Sequence, residues 1–299
     1  MSGGDQAMAV FDPRPCDLGE GPLWHPGRAA LYWFDITGKR LFWRRASPGG
    51  ESGARTFDEM HSAAGRVDDE TLIIASQTGL WRFDLITGQR SLICPLEADD
   101  PVTRSNDGRA DPQGGFWIGT MGCRAERGAG SIWRWHRGTL RRLYANITIP
   151  NAISFTPDGR AAHFTDTVTR RIMKVALDAQ GWPAGKPETF IDLSARDGGT
   201  GLNPDGAVVD AQGLLWVAQW GAGRVAAHAP DGSFVTACPL PAPHATCPAF
   251  GGLGLGTLYC TSARQGLDSA GLQAAPLSGQ TFSCTGIATG LPEPAVVLD

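Results

Sequence analysis

A sixfold self-similarity runs through this chain, and no other feature narrows the choice of fold as far. One pattern recurs: a small or apolar pair, a short strand-like run, a D-x-G or P-x-G turn, then an apolar run rich in aromatics. The copies read GPLWHPGRAALYWFD from Gly21, AGRVDDETLIIAS from Ala64, DGRADPQGGFWIGT from Asp107, AISFTPDGRAAHFTD from Ala152, GAVVDAQGLLWVAQ from Gly206 and AFGGLGLGTLYCTS from Ala249. Successive starts lie 43, 43, 45, 54 and 43 residues apart, and the long step contains an insertion, DLSARDGGTGLN, at 192–203. A unit of roughly 40–50 residues holding four short strands is the sequence signature of a propeller blade. The expected fold is therefore all-β: a six-bladed β-propeller formed by residues 1–299 as a single domain.

The rest of each unit fits. GLWRFD (79–84), SIWRWH (131–136), RIMKVALD (171–178) and RVAAHAPDG (224–232) alternate apolar and polar residues, as half-buried strands do. No long stretch of helical period competes. Ten Trp against three Tyr suits a ring of sheets packed face to face, where large flat side chains fill the gaps. A β-sandwich would not repeat itself six times. The segment near Met8–Phe11 is expected to complete the blade built from the C-terminus, because closing the ring removes exposed sheet edges.

Composition excludes several classes. A formal net charge of −4 and the lack of any long basic run argue against a nucleic-acid surface. Residues 232–263 carry no Asp, Glu, Lys or Arg, but four prolines interrupt them, so no membrane span is expected. The N-terminal stretch has neither a basic nor an apolar leader region. Seven scattered cysteines without a C-x-x-C pair suggest free thiols in a reducing cytoplasm. A monomer is expected. The chain has no G-x-S-x-G, H-E-x-x-H, Walker A or G-x-G-x-x-G motif, and its six histidines form no ligand-spaced cluster.

The residues directly before the six copies are Glu20, Ala63, Asn106, Asn151, Asp205 and Pro248. In a propeller these equivalent positions converge on the central axis. Four carry oxygen donors, and two carboxylates forced together repel unless one is protonated or a cation lies between them. An all-oxygen set suits one divalent ion, Ca²⁺, Mg²⁺ or Mn²⁺, with Fe²⁺ or Zn²⁺ also able to bind.

The segments LGEGPLWHP (18–26), RSNDGRADPQGGFWIGTM (104–121), IPNAISFTPDG (149–159), NPDGAVVDAQGLLWVAQW (203–220) and FGGLGLGTLYCTSAR (250–264) together resemble the family of regucalcin (senescence marker protein), gluconolactonases and luciferin-regenerating enzymes, and its bacterial sugar-lactonase branch in particular. The resemblance implies that Glu20, Asn151 and Asp205 bind the metal and that Arg104 and Asn106 contact substrate. It also exposes a departure: where such proteins carry Glu three residues after the Thr-Met pair, this chain has Arg124, with Glu126 nearby, so Arg124 is the expected substrate contact there. The function implied is a metal-dependent lactonase that opens a small-molecule sugar (aldono-) lactone to the aldonic acid in carbohydrate catabolism. Asp205 is the candidate general base for the attacking water. Two other readings use the same site: an aryl-ester or organophosphate hydrolase, and a non-catalytic calcium-binding propeller.

Overall fold

The computed structural model describes residues 7–195 and 201–298. Six four-stranded antiparallel sheets stand around a central axis; five are meanders whose first strand is innermost, and the sixth takes its outer strand from the N-terminal segment. The innermost strands are Gly19–His25, His61–Arg66, Thr103–Ala110, Pro150–Phe155, Asn203–Val209 and Ala245–Gly251, in blades 1 to 6. The expected propeller is thus present with its expected blade count. The insertion at 192–203 separates blades 4 and 5, and its residues 196–200 lie outside the described residues. Only one α-helix is found among the described residues, Ser269–Ala274, capped by the Asp268 carboxylate, which accepts from Gly271 N.

The ring closes as the sequence suggests. Ala9–Asp12 pairs antiparallel with Thr281–Thr285 and becomes the outer strand of blade 6. Two ends of the chain thereby occupy one sheet.

Period-two alternation explains how the blades hold each other. Alternate side chains of a strand point to opposite faces, so each strand serves two interfaces. In blade 1, Ala30, Tyr32 and Phe34 pack toward blade 2 beside Leu72, Ile74 and Phe83. The intervening Leu31 and Trp33 pack toward blade 6 beside Ala249 and Tyr259. The core is accordingly divided into six clusters, one between each pair of neighbouring blades. Trp33, Trp117, Trp135 and Trp216 are fully buried in these seams, which accounts for the tryptophan excess.

Acidic residues tie strand ends to backbone. Asp35 accepts from Leu18 N and pairs with Arg40, and Asp166 accepts from Thr148 N and Ile149 N. After blade 6 the chain crosses the far end of the channel, where Glu293 pairs with buried Arg109 and Val296 N donates to Arg66 O.

Candidate active site

All six innermost strands carry a register shift near their start. An extra residue at such a bulge loses its ladder partner and is re-aimed. In blade 3 the shift lies between Ser105 and Gly108 and releases Asn106 and Asp107; in blade 5 it lies between Pro204 and Ala207 and releases Asp205. Glu20 and Asn151 sit directly before their shifts, each followed by a left-handed residue, Gly21 (φ 55°) and Ala152 (φ 55°). At Gly21 the conformation and the space both demand glycine, because a Cβ would lie 2.2 Å from Ser62 O.

A directional hydrogen-bond chain links these positions. Arg104 Nη1 donates to Asn106 Oδ1 at 2.9 Å, and Asn106 Nδ2 donates to Asn151 Oδ1 at 3.0 Å. Asn151 Nδ2 donates to Thr167 Oγ1 at 3.0 Å, whose hydroxyl donates to Pro204 O at 2.7 Å. Every donor points the same way, from blade 3 through blade 4 to blade 5. A guanidinium can only donate and a carbonyl can only accept, so both carboxamide orientations follow from the two ends. Asn106 Nδ2 also donates to Pro150 O, which occupies both its protons. One lone pair of Asn106 Oδ1 and one of Asn151 Oδ1 stay available.

Glu20 and Asp205, far apart in sequence, are both buried and line the same cavity floor. Burial pushes the Glu20 carboxyl well above its ordinary range, and the charge of Asp107 adds to the shift. Asp205 moves in the same direction, through burial and then through Glu20 and Asp107. Asp107 itself is raised to about 6 by burial, while Ile153 N donates to its Oδ2 at 2.8 Å. Arg104 is held below its ordinary value by burial and is attracted to both Glu20 and Asp205.

Burial therefore disfavours ionising both acids at once. A divalent ion would offset that cost and satisfy both carboxylates, with Asn151 Oδ1 as a third oxygen ligand. This donor set fits such an ion. Among the described residues no group of three or more His, Cys, Asp and Glu side chains is disposed to hold a metal; the third donor here is a carboxamide.

These residues form the floor of a cavity of about 510 Å³. All the candidate site residues, Glu20, Arg104, Asn106, Arg124, Asn151 and Asp205, line it. Five are buried, whereas Arg124 stands exposed on the turn after Phe116–Gly122. Sequence reasoning missed Thr167, Asn203, Trp220 and Gln265, which also line it. Thr167 follows directly on Asp166, so the HFTDT segment held a signal; Trp220 ends the second strand of blade 5, Leu215–Trp220, and Gln265 lies just beyond the strand Thr257–Ser262. His25, by contrast, is buried away from the cavity with Nε2 3.3 Å from Asp68 O.

The SMP-30/Gluconolactonase/LRE-like region model matches residues 18–264. This chain belongs to that family. A Rhizobium meliloti (strain 1021) member is 41% identical over 93% of both chains. The L-arabinolactonase of Azospirillum brasilense is 36% identical over 93% of this chain and 91% of its own. Among solved members, the calcium-binding protein regucalcin from Agrobacterium tumefaciens str. C58 superposes with a TM-score of 0.93 at 42% identity, covering 98% of each chain.

Proposed function

We propose that this chain hydrolyses a sugar lactone to the open aldonic acid, using one divalent cation held by Glu20, Asn151 and Asp205. The observation that carries the reading is the pairing of two buried carboxylates, beside a carboxamide oxygen of fixed orientation, on the floor of an open cavity. The relative named L-arabinolactonase supports the substrate class. A bound cation supplies electrophilic pull on the lactone carbonyl oxygen.

The chain's own residues then do the following. Asp205 presents a carboxylate oxygen to a water and takes its proton as the water oxygen adds to the carbonyl carbon. The carbonyl re-forms as the bond from that carbon to the ring oxygen breaks. The ring oxygen leaves as a hydroxyl, receiving the proton back from Asp205, and the acid product ionises. Atoms balance as lactone plus water giving hydroxy acid. Arg104 donates from the floor to substrate oxygens and opposes the charge of the two carboxylates. Asn106, with both protons engaged, orients Asn151 and offers substrate only an acceptor.

The cavity wall favours sugar over an aryl ester or organophosphate. Trp220 is its single aromatic side chain among the described residues, while Arg104, Arg124, Asn203 and Gln265 supply polar donors. No cysteine forms a disulfide among the described residues, which supports a reducing, cytoplasmic setting. We take the propeller to act as one domain and as a monomer.

The test is a panel of aldonolactones, aryl esters and a phosphotriester, assayed with and without chelator. Lactone opening lost on chelation and regained on adding Ca²⁺, Mg²⁺, Mn²⁺ or Zn²⁺ is the expected result. Chelator-resistant lactone opening would overturn the metal assignment; no lactone opening under any ion would overturn the activity.

A further inference from the structure

We propose that the cavity accepts lactones bearing an anionic substituent, and that Arg124 is the residue that selects for it. The proposal rests on the lactonase reading above and deepens it by naming the substrate's charge.

Charge balance leads to it. Among the described residues lining the cavity, the acidic and basic side chains are Glu20 and Asp205 against Arg104 and Arg124. On the floor, Arg104 already opposes the two carboxylates. Any divalent cation added there leaves the cavity net positive. Asp107 lies behind the floor, beside Arg109, and does not line the cavity. No acid at the cavity wall is left over to match Arg124.

The position of Arg124 is held while its charged end is open. Cys123 N donates to Val102 O at 2.8 Å and Ala125 N to Gly122 O at 2.8 Å, so the turn is pinned on both sides. Glu126, the acid nearest in sequence, accepts the backbone amide of Arg124 at 2.9 Å and attracts its charge only from a position off the cavity wall, where water screens it. No hydrogen bond or ion pair engages the Arg124 guanidinium among the described residues. A planar fork at the mouth of a positive cavity is suited to bidentate contact with a carboxylate, sulfonate or phosphate. The reacting carbonyl belongs on the floor, so the anionic group is the one at the opposite end of the sugar.

The test compares D-glucono-lactone with D-glucaro-lactone, which adds a carboxylate, on the full-length wild type, Arg124→Gln, Arg124→Lys and Arg124→Glu. Wild type is expected to favour the carboxylate-bearing lactone in kcat/KM by about tenfold or more. Arg124→Gln should collapse that ratio, Arg124→Lys should keep part of it, and Arg124→Glu should invert it. As a readout apart from turnover, calorimetry should show D-glucarate binding more tightly than D-gluconate to wild type, with an advantage that shrinks in high salt and in Arg124→Gln. If the neutral lactone is opened as well as the anionic one, or if Arg124→Gln leaves the ratio unchanged, the proposal fails and the lactonase reading stands. If neither lactone is opened, both fail.

Discussion

The side-chain amide of Asn106 donates to the carboxamide oxygen of Asn151 across 3.0 Å, joining blade 3 to blade 4 at the floor of the cavity. Between them these two residues decide which atom of Asn151 is an acceptor. Thr167 completes the decision from the other side by accepting Asn151 Nδ2. Residues that orient a ligand in this way typically contribute tenfold to hundredfold to metal affinity. Thr167→Val should therefore weaken cation binding by about that factor, and Thr167→Ser should restore most of it. Titration calorimetry with Ca²⁺ or Mn²⁺ decides; equal affinity in Thr167→Val would remove Thr167 from the site.

Asp205→Asn keeps the shape of the floor and removes both a charge and a base. We expect kcat to fall by roughly a thousandfold or more and metal content after gel filtration to drop. Near-normal turnover in Asp205→Asn would move the base elsewhere, with Glu20, the other carboxylate on the cavity floor, the next to examine.

Arg104 supplies binding more than chemistry in the mechanism above. Arg104→Ala should raise KM by about tenfold or more while kcat changes less. A pure kcat loss at constant KM would instead place Arg104 on the reacting oxygen.

Acid stability has a separate cause. His163 is buried, packs against Phe190 with the rings tilted and 4.8 Å between their centres, and has no hydrogen-bond partner on either ring nitrogen. Burial, with Lys174 nearby, lowers its pKa to about 3. The unfolded chain therefore binds a proton that the folded chain refuses. Above pH ~6.5 this costs nothing, and as pH falls from ~6.5 toward ~3 stability is progressively lost. By pH 4 the loss reaches roughly 3 kcal/mol. Replacing His163 with Phe or Leu should flatten the fall of melting temperature between pH 7 and pH 4, whatever it does to the value at pH 7. An unchanged slope would assign the acid lability to other groups, His61 being the first, since burial lowers it to about 4.

The blades were legible because a blade is a local pattern. The alternation in ALYWFD encodes which seam Tyr32 and Trp33 each enter, and this needs no knowledge of distant residues. Glu20, Asn106, Asn151 and Asp205 were legible for a related reason: symmetry places equivalent positions together once the number of blades is known. The carboxamide chain was not. That Asn106 donates to Asn151 depends on the bulge geometry of two strands, and that Thr167 receives the next proton depends on a loop on the outer side of the bulge. Trp220 and Gln265 reach the cavity from different blades and carry no repeat-wide signal. Asp107 was hidden by its neighbour: it follows Asn106 in the same bulge yet turns to Ile153 N instead of the cavity.

The pairing of Ala9 with Ser283 has a consequence for how the molecule is made. On the ribosome the first strand emerges long before its partner, and must wait unpaired while five complete sheets assemble behind it. Contacts this distant along the chain form late and slowly. A circular permutant that joins the present termini and starts between blades 1 and 2 would make every sheet contiguous in order of synthesis, and should refold faster than the natural order while reaching the same ring.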